Sequence, residues 1–426
     1  MGDIMHDYYD THETQPPEER ERHLFERLPA ALERARASAP AIARQLQGLE
    51  PAHINSRATL VDVPVLRKSQ LLEAQHAARI AGQGAGPDER ERVFGGFSAI
   101  GWGQARRVFA SPGPIYEPES GRADYWGFAR ALHAAGVRPG MLVHNCFSYH
   151  FTPAGSMMET AAHALGCTVF PGGVGQTEQQ VRVMADLAPQ VYVGTPSFLR
   201  IILEKADQMG VALPSLQRAL VSGEAFPGAL QAWLLGRGIL GFQAYGSADL
   251  GMVAYETEAR EGLVLNENLI VEIVRPGTSQ PVPDGEVGEL VVTTLQADYP
   301  LLRFGTGDLS AFLPGHSPCG RTNGRIRGWM GRADQTTKVR GMFVHPEQIA
   351  RVVARYPQIH RARLVVSGQQ GHDTMTLQVE AGSAVDAGVI AQAVREETKL
   401  RAAIEQVEPG QLPNDGKVIE DQRALD

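Results

Sequence analysis

Several side chains in this sequence follow turns and are of types that can do chemistry. Asp308 ends the run Phe304-Gly305-Thr306-Gly307. A carboxylate there can accept hydrogen bonds from two neighbouring hydroxyls, whereas an ordinary turn aspartate bonds its own backbone. Asp249 closes Ala244-Tyr245-Gly246-Ser247-Ala248 and offers hard oxygen donors. Arg332, in Gly331-Arg332-Ala333-Asp334-Gln335, is a permanently charged forked donor. As a pair, Arg332 and Asp334 would otherwise be a surface ion pair of little energetic value. Lys417 follows Pro413-Asn414-Asp415-Gly416, a turn that projects a side chain from the tail; a lysine there is ordinarily a solvated charge. Phe147, Tyr149, His150 and Phe151 form an aromatic cluster after the apolar run Met141 to Val143. Such rings can wall a flat apolar pocket, although clusters of this kind are more often core.

The elements that must hold these residues follow from the hydrophobic pattern. Val191-Tyr192-Val193-Gly194 reads as a strand leading through Thr195-Pro196 into a helix over 197–206, with Ser197 as its cap. Ala219-Leu220-Val221 leads through Ser222-Gly223-Glu224 into a helix opening near Pro227. Repeated strand-turn-helix units predict an α/β fold with a largely parallel sheet covered by helices, and ligands bind such sheets at the carboxyl ends of the strands. Upstream, Pro16 to Leu49 has helical spacing interrupted by Pro29 and Pro40, which predicts short helices in an N-terminal cap. After Asp284-Gly285 come short antiparallel strands such as 289–295. The tail predicts a helix over 348–356, strands over 362–366 and 374–380, a helix from 386 to about 404, and a final loop. The expected plan is a large domain over 1–332 with mixed and parallel sheets, and a small α+β domain over 335–426.

Composition excludes several classes of function. At 426 residues and 43% hydrophobic, the chain can bury more than one core. The net charge of -8, with both signs mixed, argues against nucleic-acid partners. Cys146, Cys167 and Cys319 are too scattered for a disulfide framework, which fits a reducing, cytoplasmic setting. Met1 to Asp10 lacks the basic and apolar regions of a signal peptide, and no apolar run reaches the ~18 residues that span a bilayer.

The order and spacing of the Tyr245-Gly246, Gly305-Thr306-Gly307-Asp308 and Gly331-Arg332-Ala333-Asp334 segments, with Val339-Arg340-Gly341 following, resemble the adenylate-forming superfamily. Within it, the His150 region, the Gly-Gly-x-Gly-Gln-Thr-Glu segment at Gly172 to Glu178, and Leu412-Pro413 to Lys417 are similar to the phenylacetate-CoA ligase branch. The resemblance runs from about Tyr8 onward. It implies that Asp308 holds the ribose hydroxyls of ATP and that Arg332 faces the ribose or phosphate. Gly223, Glu224 and Ala225 would lie against the adenine, joined by Ala244, Tyr245, Gly246 and Ser247. Asp249 stands where the family has a glutamate that helps hold magnesium, so it would be the metal residue one methylene shorter. Lys417 would be the adenylation lysine. Asp334 would be the hinge on which the small domain turns between adenylation and thiol transfer, with Gln335 replacing the family's second acidic residue. Phe147, Tyr149, His150 and Phe151, together with Tyr245 and Gly246, would line an acyl pocket.

The sequence departs from the family in its phosphate loop. That loop is rich in Ser, Thr and Gly and carries a lysine, because amides and small hydroxyls wrap the β- and γ-phosphates. Here the matching stretch, Phe109 to Pro118, has prolines at 112, 114 and 118 and a glutamate at 117, which would repel phosphate. The Gly95-Gly96 to Gly103 stretch lacks the spacing of a P-loop and reads as a turn. Cys319 with nearby His316 is not enough for zinc. The expectation is an acid-thiol ligase using ATP, magnesium and coenzyme A on an aromatic or similar small carboxylic acid, without zinc, nucleic acid or membrane as partners; a homodimer is left open. Two alternatives stand beside it: transfer of the acyl group to an amine or carrier protein, and a nucleotide- or acyl-binding relative without turnover.

Overall fold

Val191–Gly194 is buried at every position and Arg218–Val221 at three of four, so these strands need apolar cover on both faces. The computed structural model, which describes residues 7–82, 88–333, 335, 337–339, 342–368 and 373–423, supplies that cover with helices. The chain divides into two compact units. The first is Met1–Val271 with Val292–Phe304 and Leu313–Gly328; the second is Glu272–Val291 with Gly305–Phe312 and Trp329–Asp426.

The large sheet of the first unit includes, in order, Arg325–Ile326, Leu263–Leu265, Gly251–Glu256, Leu240–Ser247, Arg218–Val221, Val191–Gly194, Leu142–Asn145 and Thr168–Phe170. The last five pair in parallel, and the pairing turns antiparallel beyond Leu240–Ser247. Side chains alternate between two cores. Val191, Val193 and Leu220 pack with the helices Ala129–Ala134 and Ala154–Ala164 on one face. Tyr192, Ala219 and Val221 pack with Thr177–Leu187, Pro196–Met209 and Gly228–Leu235 on the other.

The helix expected from Ser197 begins instead at Pro196. Thr195 is its cap, accepting a hydrogen bond from the Phe198 amide at 3.4 Å. Proline has no amide hydrogen to leave unpaired and suits the first helical position, which moves the cap to the residue before it. The expected break at Pro29 is also absent: Pro17–Ser38 is one helix of 22 residues. Its buried face, formed by Leu24, Phe25, Leu28, Leu32 and Ala35, continues past the proline, and that burial outweighs one missing backbone hydrogen bond.

In the second unit, strands are ordered Ala403–Val407, Thr374–Ala381, Ile359–Ser367 and Ile419–Asp421. They share a core with the helices Pro346–Ala354 and Ala387–Thr398. The last helix stops at Thr398 rather than continuing to 404, because Lys399 takes a left-handed conformation at φ 62°. The tail expected as loop contributes the two edge strands: Ala403–Val407 pairs in parallel with Thr374–Ala381, and Ile419–Asp421 in parallel with Ile359–Ser367. This unit begins a little before the sequence boundary at 332/335 and also takes in 272–291 and 305–312. Among the described residues, no helix is long and apolar enough to cross a membrane.

Candidate nucleotide and acyl site

In the first unit, the expected ligand-facing residues leave the carboxyl ends of neighbouring parallel strands. Val221 lies opposite Gln243, so Gly223, Glu224 and Ala225 emerge at the level of Ala244 to Ser247. Gly223 has φ +83° and exposed surroundings, and Glu224 accepts a bond from the Ser197 amide at 3.4 Å. Gly246 sits at a register shift in its strand, where a β-carbon would stand 2.5 Å from the Gly251 carbonyl oxygen, so only glycine fits. Ser247 accepts the Leu250 amide at 3.2 Å, which tightens the turn into Asp249.

Asp249 is held from far away in the chain. Its side chain is 1% exposed, and Oδ2 accepts from Lys68 Nζ at 2.8 Å, while Oδ1 is buried without a hydrogen-bond partner. Lys68 opens the helix Lys68–Ala81. Close by lies Glu117, fully buried, with Ser111 Oγ donating to Oε1 at 2.5 Å and Oε2 left without a partner. Burial, and then the like charge of Asp249, push the Glu117 carboxyl up to about 8. It is therefore mostly uncharged near neutral pH.

The stretch expected as a phosphate loop is a β-hairpin. Ala105–Ser111 pairs antiparallel with Ile115–Ser120, Val108 lies opposite Pro118, and Pro112 to Pro114 makes the turn. The sequence reading of Glu117 as a charge repelling phosphate is revised by its burial and its bond to Ser111. The Gly95 to Gly103 stretch is a turn, with positive φ at Gly95, Gly96 and Gly103.

The four aromatic-cluster residues stand in different environments. Phe147 is part of the core, Tyr149 accepts from Asn145 Nδ2 at 2.8 Å, His150 is exposed, and Phe151 is 80% exposed at φ 62°. The Gly172 to Glu178 segment is clamped by Gln180, whose amide nitrogen donates to the carbonyls of Gly172, Gly173 and Gly175 at 3.0, 3.1 and 3.3 Å.

The second unit carries the remaining residues. Asp308 Oδ1 accepts from Arg332 Nη1 at 2.9 Å and from Trp329 Nε1 at 3.1 Å. The guanidinium lies over Gly307, where a β-carbon would stand 2.7 Å from Arg332 Nη2. Leu309 donates to the Gly331 carbonyl at 2.9 Å, which fixes the two segments side by side. Gly416 has φ +70°, and a β-carbon there would meet Val287 at 2.8 Å and Leu309 at 3.0 Å. The turn before Lys417 thus rests on the residue that follows Asp308, and Lys417 is exposed beyond it. Asp334, the expected hinge, lies outside the described residues.

Comparison with known proteins adds a separate line of observation. The model of the AMP-binding enzyme family matches residues 125–296. Phenylacetate-coenzyme A ligase of Thermus thermophilus is 33% identical over 309 residues, covering 69% of each chain. The chain belongs to the phenylacetate-coenzyme A ligase family. The ligase of Aromatoleum evansii is 29% identical over 358 residues, covering 80% of this chain and 77% of its own. Among solved structures, an open conformation of 2-hydroxyisobutyryl-CoA ligase in complex with 2-HIB-AMP and CoA has a TM-score of 0.70 at 24% identity, covering 97% of this chain and 93% of that one. That likeness bears out the expected α/β fold.

Against this family background, Lys68 is what sequence reading missed at the site, and Glu117 is what it named with the wrong role. Lys68 opens a helix like many other lysines, and it stands 181 positions from its partner. The oxygen chemistry at Asp249 fits one contact to a magnesium ion: its buried Oδ1 is a hard donor without a hydrogen-bond partner. Beside it Glu117 Oε2 is likewise unpartnered, on a carboxyl that is mostly uncharged. Among the described residues no group of three or more acidic, His or Cys side chains surrounds the place, so phosphate and water oxygens would have to complete the shell. At Cys319 the sulfur neighbours are Ser317 at 3.0 Å and Arg321 at 3.5 Å.

Proposed function

We propose that this chain is an ATP-dependent carboxylate-CoA ligase acting on an aromatic or similar small acid. A carboxylate oxygen attacks the α-phosphorus of ATP, the bond to the β-phosphate breaks, and pyrophosphate leaves with an acyl-adenylate remaining. The thiol of coenzyme A then attacks the acyl carbon and displaces AMP. Asp308 accepts the ribose hydroxyls, with Arg332 holding that carboxylate in place and facing the phosphate. Gly223 to Ala225 and Ala244 to Ser247 offer backbone and small side chains to the base, and Tyr245 with Gly246 stands beside the acyl group. Phe147, Tyr149, His150 and Phe151 belong to the acyl side. Asp249, backed by Glu117, would hold magnesium, which supplies charge neutralisation at the phosphates. Lys417 places its ammonium where negative charge redistributes as the acyl-phosphate bond forms. The 335–426 segment turns about Asp334 between the two half-reactions, in a reducing cytoplasm suited to three free cysteines.

The observation that carries this reading is the packing of Gly416 on Leu309. It seats the turn before Lys417 against the strand that bears Asp308. The proline hairpin in place of a phosphate loop favours a second reading, a binding protein without turnover. ATP-pyrophosphate exchange over a panel of aryl and short-chain acids separates the two. Exchange with at least one acid is expected, and silence from folded, ATP-binding protein would sink the ligase reading. Product that forms without coenzyme A, when an amine or carrier protein is offered, would move the acceptor away from coenzyme A.

A further inference from the structure

The backbone on both sides of Lys417 is gripped by one side chain. The amide oxygen of Gln335 accepts from the Val418 amide at 2.6 Å and the Ile419 amide at 2.9 Å. Its amide nitrogen donates to the Gly416 carbonyl at 3.1 Å and the Arg332 carbonyl at 3.3 Å. A primary amide has two lone pairs and two N–H groups, and all four are used here. A carboxylate in this place could accept from Val418 and Ile419 but would face the two carbonyl oxygens with nothing to donate.

Other contacts pin the same turn at its base. Arg361 donates to the Leu412 and Pro413 carbonyls at 3.2 and 2.9 Å, and Arg363 to Pro413 at 3.2 Å. Asn414 Oδ1 accepts the Val287 amide at 3.0 Å, and Asp415 Oδ1 accepts the amide of Lys417 itself at 3.1 Å. The lysine side chain is left exposed at the end of a fixed backbone. Holding a reacting group in one geometry removes an orientational entropy cost from the transition state, and a displacement of about 1 Å can cost about 100-fold in rate.

We infer that Gln335 is a positioning residue for Lys417: its amide clasps the lysine's backbone from both sides, and it touches neither nucleotide nor acid. The inference rests on Lys417 being the adenylation lysine. The reason for an amide at this position, where the family resemblance expects an acid, is the pair of donor bonds to Gly416 and Arg332.

The test uses the full chain with Q335E, Q335A and K417A. Pyrophosphate exchange is measured with phenylacetate or the fastest panel acid, and thioester formation is measured separately from supplied acyl-adenylate and coenzyme A. Q335E is expected to lower kcat for exchange about 10- to 100-fold while KM for ATP and acid stays within about twofold and thioester formation is retained. Hydrogen exchange adds a readout that needs no activity. In Q335A the amides of 417–419 should exchange at least about tenfold faster, with the strand Thr374–Ala381 unchanged. If K417A keeps normal exchange, the reading of Lys417 fails first. If K417A is silent while Q335E turns over like the parent, the positioning role is overturned. Equal loss of both half-reactions, unchanged protection at 417–419, or faster exchange across Thr374–Ala381 would make Gln335 a structural residue and overturn it as well.

Discussion

Glu117 shows how a single residue changes meaning between a sequence and a folded chain. In the linear reading it is a charge set against phosphate; in the structure it is a buried acid bonded to Ser111 and facing Asp249. Its native carboxyl sits near 8, against an unfolded value near 4.5. Between those two values the folded state holds a proton that the unfolded state has released, so the unfolded state binds fewer protons and stability falls as pH rises across the window. Replacing it by an uncharged isostere removes the effect. The E117Q protein, compared with the parent by denaturant unfolding from pH 5 to 8, should gain relative stability with rising pH, by at most about 1.4 kcal/mol per unit. A constant difference across that range would mean that Glu117 is not the titrating group.

At the scale of elements, local rules located most helices and strands and failed where burial overruled them. Pro29 is the clearest case. A proline in a helix interior removes one hydrogen bond and crowds the preceding turn, yet the apolar stripe from Leu24 to Ala35 keeps Pro17–Ser38 continuous. P29A should therefore stabilise the protein by about 1 kcal/mol, the regained bond and propensity being partly offset by greater freedom of the unfolded chain. A lower midpoint of denaturant unfolding for P29A would show that the proline ring itself packs usefully. The hairpin over 105–120 carries the same lesson in reverse. Its prolines argued against an amide-lined loop; Pro112 and Pro114 sit in the turn and Pro118 in a two-stranded ribbon whose outer backbone groups at Ala110 and Tyr116 are bonded by Phe151 and Gln75.

At the scale of the whole molecule, distant segments are tied by buried charge. Arg130 donates to both oxygens of Asp10 at 3.0 and 2.7 Å, and stands 3.3 Å from Glu13 and 2.9 Å from Glu267. Arg321 reaches Glu13 at 3.1 Å. Removing one member leaves the others desolvated without compensation. R130M should cost about 3–5 kcal/mol by denaturant unfolding, and a loss below about 1 kcal/mol would mean that water or rearranged partners take the place of the guanidinium.

By itself the sequence determined the strand-turn-helix alternation, the α/β class and the motif positions at Asp249, Asp308, Arg332 and Lys417. These follow from short-range chemistry: hydrophobic period, glycines at left-handed turns, and residue types at close spacing. Only the tertiary structure decided that Lys68 is the partner of Asp249, that Glu117 turns inward, that Phe147 joins the core while Phe151 faces solvent, and that Gln335 brackets Lys417. Those relations join residues as much as 181 positions apart, and they depend on desolvation and on which hydrogen-bonding groups meet once the elements have packed. Neither quantity is carried by any local stretch of chain.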